Sequence, residues 1–295
     1  MSQLIWNGLF TGSFYALVAL GYSMVYGIIR LLNFAHGDVY MLGAFIGYYC
    51  LTLLSGVTSG LPALLIVLVV AMLATGLAGV GIERLAYRPL RQAPRLAVLI
   101  TAVGVSFSLE YGVRLIAGAD PKVYPVRLDG QPVELLGARL TAEQLVLVAV
   151  AFVLMGALHT LVMRTRAGRA MRAIAADPKA AHLSGIEVGQ VIARVFFLGS
   201  ALAGAAGVMA GAYYGRIEFL MGFVIGLKAF TAAVIGGIGN LPGAMLGGLA
   251  LGLLESFGTG LTGGEWRDVF AFGCLIVFLV ARPQGILGEK AVVRM

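Results

Sequence analysis

Side chains that could do chemistry are sparse in this sequence, and their spacing narrows the options quickly. No two of the three histidines, His36, His159 and His182, are spaced as metal ligands on one helix face, which argues against a metal centre. No lysine closes a GxxxxGK run, so the chain has no phosphate loop of its own and any ATP-driven work must be done by another subunit. Nothing resembles a nucleophile elbow. Three ionisable residues stand inside long apolar runs, Glu110, Lys228 and Glu255, where an unpaired charge is costly and marks either a pathway or an ion pair. Arg114, one helical turn beyond Glu110, predicts a pair on one helix face. Glu255 falls near an outer helix end, within reach of water. Lys228 has no acid within a turn in sequence. Its choices are to pair with Glu255, to snorkel, or to line the path of a carboxylate, and the small neighbours Gly226 and Ala229 admit a second helix beside it. His36 precedes Asp38 on a short turn, and the expectation is a hydrogen-bonded turn histidine next to an N-capping aspartate. The Gly236, Gly237 and Gly239 run looks like a phosphate loop only superficially; close helix packing is the plainer reading.

The elements that must carry these residues follow from composition. Of 295 residues, 60% are apolar and 12% charged, with a mean hydropathy of +0.94. That leaves too little polar surface for a water-facing globule, so the solvent must be largely lipid. Several apolar runs reach about 20 residues, the length of a membrane helix and twice that of a barrel strand. The expected fold is an all-α membrane protein, a single integral domain over residues 1–295 with eight or nine spans. These fall near 4–29, 38–54, 62–82, 96–117, 141–162, 190–213, 223–238, 241–257 and 267–281. The pair split by Asn240, Leu241 and Pro242 could instead be one broken or re-entrant element, so Asn240 joins the candidate path residues. No cleavable signal peptide is expected, and Cys50 and Cys274 set no disulfide framework.

The net charge of +7 does not indicate nucleic acid, because most basic residues flank spans. One set of connections holds Arg30, Arg84, Arg88, Arg91, Arg95, Arg164, Arg166, Arg169, Arg172, Lys179, Arg282, Lys290 and Arg294; the other holds Lys122, Arg127, Arg139, Arg216 and Arg267. The positive-inside rule makes the first set cytoplasmic, with the N-terminus outside and the C-terminus inside. The longest exterior connection, 118–140, with Gly130 and Pro132 at its centre, reads as an ordered or partly mobile loop. A weak echo links 33–44 (NFAHGDVYMLGA) with 240–248 (NLPGAMLGG).

The cytoplasmic connection 164–189 contains helix punctuation: Asp177 as N-cap, Pro178 at the first helical position, and Gly185 for the left-handed residue past the end. The predicted helix, Pro178 to Ser184, is too short to stand alone in water. Burial against its own domain, against the lipid interface, or in a groove on a cytoplasmic partner would each satisfy that need.

Lys179-Ala180-Ala181-xxx-Gly185 resembles the EAAxxxG loop by which permeases of ATP-binding-cassette importers engage their ATPases, with Lys179 in place of the glutamate and the downstream Ile-x-Leu-Pro portion missing. Over nearly its full length the chain resembles LivH-type permeases of high-affinity branched-chain amino acid importers. The matching residues are Asn33, Phe34, Ala35, His36, Gly37 and Asp38 with Val39-Tyr40-Met41; Ile82-Glu83-Arg84 with Ala86-Tyr87-Arg88-Pro89; Gly168-Arg169-Ala170; and Lys228 to Val234, continuing through Gly236 to Met245. The resemblance implies a bacterial-type cytoplasmic (inner) membrane. It also implies a second related permease, two ATPase subunits that bind ATP and magnesium, an extracytoplasmic binding protein, and no cofactor or nucleic acid on this chain. Urea and short-chain amide importers use sister permeases with a similar NFAHG-like region. An ion-coupled secondary transporter is the competing class, kept open by Glu110 and Glu255, and an assembly subunit without a path of its own is a third.

Overall fold

The computed structural model describes residues 1–55, 58, 60–91, 93–126, 133–135 and 137–288. Arg127, Gly130, Pro132, Lys290 and Arg294 lie outside them. Eleven α-helices are described: α1 Ser2–Ile29, α2 His36–Leu54, α3 Gly60–Ile82, α4 Arg95–Ala117, α5 Ala142–Arg164, α6 Arg166–Ala176, α7 Pro178–Leu183, α8 Val188–Tyr214, α9 Met221–Gly236, α10 Leu241–Thr262 and α11 Arg267–Ala281. A π-helical turn, Glu83–Tyr87, prolongs α3. Seven of these are long and apolar enough to cross a membrane: α1, α2, α3 with its π turn, α4, α5, α8 and α10. Of the eight or nine spans expected from the sequence, seven have full membrane length among the described residues. At 1.5 Å per residue, 16-residue α9 and 15-residue α11 reach about 24 and 22 Å, short of a hydrocarbon core of about 30 Å.

Small residues decide which helices touch. α1 and α10 meet along Gly12 and Gly248; a Cβ on Gly248 would collide with the Ala16 backbone, so no larger side chain fits between them. α2 packs on α8 in the same way at Gly43 and Gly204. α1 and α8, buried over most of their length, form the centre, while α4 and α5 expose apolar residues such as Leu115, Ile116 and Val153. An exterior of that kind suits lipid or another membrane helix.

The described members of the two sets of basic connections separate to opposite poles. At one pole Asn240 donates to the Leu287 carbonyl, Gly27 approaches Gly239, and Arg88 and Arg91 lie beside Gly189. At the other, β1 (Lys122–Val123) pairs antiparallel with β4 (Arg216–Ile217), and β2 (Val133–Leu135) with β3 (Ala138–Leu140). The described part of the 118–140 connection is thus ordered by short strands that its mixed composition did not announce. The Gly236–Gly239 run ends α9: Gly237 and Gly239 have φ of 105° and 93°, and Gly237 packs against Gly288.

Candidate cargo path and coupling surface

The helix predicted from Pro178 is present and ends at Leu183, with Ser184 as its cap residue. Asp177 Oδ1 accepts the Lys179 and Ala180 N–H groups at 2.8 and 3.2 Å, satisfying donors that a first turn otherwise leaves free. At the far end Gly185 has φ 82°, and the Ile186 N–H returns to the Ala181 carbonyl at 3.1 Å. Only Ala181 is buried; Lys179, Ala180 and His182 are exposed, and Leu183 is 88% exposed. Before it runs α6, whose arginines hide an amphipathic pattern in the sequence: Gly168, Met171 and Ile174 face the bundle.

Near the opposite pole Glu255, Lys228, Arg267 and Asp268 form one cluster. Glu255 does not reach water: it is 1% exposed and accepts from Tyr15 Oη at 2.8 Å and Arg267 Nε at 2.9 Å. Lys228 Nζ lies 2.9 Å from Glu255 Oε1 and 2.7 Å from Asp268 Oδ1. Of the roles open to Lys228 in the sequence, the structure shows the pairing with Glu255 and adds Asp268. Arg267 also donates to Thr11 and contacts Tyr214. Asp268, 40 residues from Lys228, could have been found only as an acid in the first turn of α11. Asn240 is a capping residue: its Oδ1 accepts the Gly243 N–H at 2.9 Å, starting α10.

The motif that starts at Asn33 occupies the interior instead of an exposed turn. Asn33 Oδ1 accepts from Tyr87 Oη at 2.9 Å, joining two of the segments that carried the family resemblance. His36 lies against Gly21 and meets the Tyr22 ring edge-on at 4.9 Å. Asp38 does not cap α2, since its carboxyl turns to α4, where Ser106 Oγ donates to Oδ2 at 2.5 Å. Gly37 explains how α9 comes so close: a Cβ there would collide with the Gly222 carbonyl and lie 2.7 Å from Gly226 Cα.

Glu110 contradicts its predicted ion pair. Its carboxyl, one turn after Ser106, lies against that of Asp38, while Arg114 sits over the rings of Tyr111 and Phe219 at 5.8 and 5.5 Å. Spacing of four residues permits a pair but does not compel one when aromatic faces compete. Asp38 and Glu110 are 1% and 3% exposed, and Asp38 Oδ1 and Glu110 Oε1 find no donor among the described residues. Beside them an apolar cavity of ≈ 70 Å³ is lined by Tyr22, Phe34, Ser106, Phe107, Phe223 and Gly226, among others.

Membrane-length helices packed through glycine, an inward-facing polar motif and an exposed capped helix at one pole define a multi-pass α-helical membrane protein. Residues 4–279 match the family described as branched-chain amino acid transport system / permease component, and the chain belongs to that family. It is 46% identical to the high-affinity branched-chain amino acid transport system permease protein BraD of Pseudomonas aeruginosa, over 99% of this chain and 97% of the relative. The LivH protein of the same description from Escherichia coli K12 is 43% identical over 98% and 96%. A probable branched-chain amino acid transport permease protein LivH from Methanocaldococcus jannaschii is 29% identical over 92% and 88%. No solved structure matches. The LivH-type resemblance drawn from the motifs is thereby shown.

Proposed function

We propose that the chain is an ABC-importer permease subunit forming part of the membrane path for branched-chain amino acids. It works in the inner membrane with a second related permease, two ATPase subunits that bind ATP and magnesium, and an extracytoplasmic binding protein. The single integral domain is oriented with its N-terminus outside and its arginine-rich pole in the cytoplasm. α9 and α11 supply the remaining one or two crossings as shorter elements.

The observation that carries this reading is α7. A helix of 6 residues with a cap at each end and an 88% exposed leucine is ordered by its own punctuation yet buries almost nothing on its own chain. A groove on an ATPase would bury Leu183 and receive α7 as a rigid handle, so that nucleotide-driven closure rocks the permease between outward- and inward-facing states.

The test is uptake by proteoliposomes carrying the whole assembly. Leucine accumulation should follow ATP and be indifferent to imposed proton or sodium gradients; the opposite dependence would make the chain an ion-coupled transporter. Gly185→Val forces a β-branched residue into left-handed backbone at a cost of about 1–2 kcal/mol, mis-setting α7. Its expected outcome is ATP hydrolysis that no longer drives uptake. Wild-type coupling in a fully assembled Gly185→Val complex would remove α7 from the mechanism.

A further inference from the structure

We propose that the cavity at Ser106 and the carboxyl pair Asp38 and Glu110 form a half-site for the cargo, the branched aliphatic chain in the cavity and the α-ammonium on the carboxyls. The proposal rests on the importer reading and names the place where that cargo is handled.

The cavity comes first. Its ≈ 70 Å³ admits about five water-sized spheres, close to the four carbons of an isobutyl group. Its walls are aromatic and aliphatic apart from the Tyr22 and Ser106 hydroxyls. Such a space holds a short branched hydrocarbon and offers little to a sugar or an inorganic ion.

The carboxyls supply the second feature. Two adjacent buried carboxyl groups require a proton or a cation between them, because two uncompensated charges out of water repel and lose their hydration. Among the described residues no basic side chain makes an ion pair with either. Lys228 is committed elsewhere, to Glu255 and Asp268. Ser106 connects the two features: it lines the cavity, and its Oγ is 2.5 Å from Asp38 Oδ2. The free oxygens Asp38 Oδ1 and Glu110 Oε1, with Ser106 Oγ, make three acceptors. An ammonium brings three N–H donors.

Position supports the assignment. Ser106 is at the midpoint of α4, far from both poles. Gly37, Gly222 and Gly226 bring α9 against the start of α2 with no side chain between, which leaves the carboxyl of Asp38 beside the α9 backbone. Phe107 and Phe223, at the cavity's rim, are about half exposed, so this chain closes only one side and the second permease would complete the enclosure.

The experiment measures ATP-driven uptake of L-leucine and L-valine by the reconstituted assembly, each presented by saturated binding protein. Val103→Phe, on the cavity wall, should cut leucine uptake about tenfold more than valine uptake, the discrimination that one methylene commonly provides. Glu110→Gln and Ser106→Ala should each lower uptake of both by about tenfold or more, the first through the lost negative charge and the second through the lost hydroxyl acceptor for the ammonium. If wild type shows no ATP-driven leucine uptake, the importer reading fails and the half-site falls with it. If wild type transports while Val103→Phe keeps the wild-type leucine-to-valine ratio, the half-site is overturned and the importer reading stands. The half-site is likewise overturned if Glu110→Gln alters only the pH profile of uptake, which would make the pair a proton site. Should Glu110→Gln fail to assemble, the ratio measured with Val103→Phe decides alone.

Discussion

The cluster around Glu255 and the pair at Asp38 are both buried in one helix bundle, and they are built in opposite ways. Glu255 receives Tyr15 from α1, Lys228 from α9 and Arg267 from α11, and Lys228 is shared with Asp268. Every charge there has an opposite neighbour, and the group ties four helices together. Asp38 and Glu110 have each other and one serine. A compensated buried network holds structure in place, and removing one member exposes the penalty carried by the rest. The Asp38 and Glu110 pair has no basic partner among the described residues, and in the half-site proposed above it receives a cation that comes and goes.

The largest effect should come from breaking the hub. Glu255→Ala leaves Lys228 and Arg267 without their shared carboxylate, and the expected loss is about 3–5 kcal/mol, seen as a lower unfolding temperature and poor assembly. A variant that melts like wild type would dissolve the contrast. Tyr15→Phe removes one hydrogen bond to the carboxylate and should cost about 2 kcal/mol by the same measurement, with leucine-to-valine preference unchanged. A shift in that preference would extend the cargo site into the cluster. Asp268→Asn should matter least. That side chain is 59% exposed, water replaces much of what the ion pair provides, and the loss should stay within about 1 kcal/mol.

Local features were legible in the sequence to the extent that local physics fixes them. Apolar runs gave the long helices to within about two residues, apart from the C-terminal end of α10, which continues past the expected end at 257 to Thr262. Asp177, Pro178 and Gly185 gave α7 because caps act over three or four residues. The pairings were legible only in part: Glu255 stood among the partners open to Lys228, and the others did not show. Glu110 meets Asp38 across 72 residues, and Lys228 meets Asp268 across 40. Such contacts depend on which helices pack side by side, and that order is set by small residues whose partners one sequence does not disclose. The Glu110 and Arg114 spacing misled for the same reason: the rings beneath Arg114 come partly from Phe219, outside α4. His36 and Asp38 looked like turn residues because polar side chains beside glycine usually are, whereas here Gly37 serves the close approach of α9.

The most direct measurement sets Lys228→Met beside Glu110→Gln in the same reconstituted assembly, recording unfolding temperature and leucine uptake for each. Lys228→Met should lower the unfolding temperature and leave the leucine-to-valine preference of the surviving complex as in wild type. Glu110→Gln should unfold at or above the wild-type temperature and lose about tenfold or more of its uptake. Reversed behaviour, with Lys228→Met stable but inactive and Glu110→Gln unstable but active once assembled, would contradict the assignment of structure to the compensated cluster and cargo to the carboxyl pair.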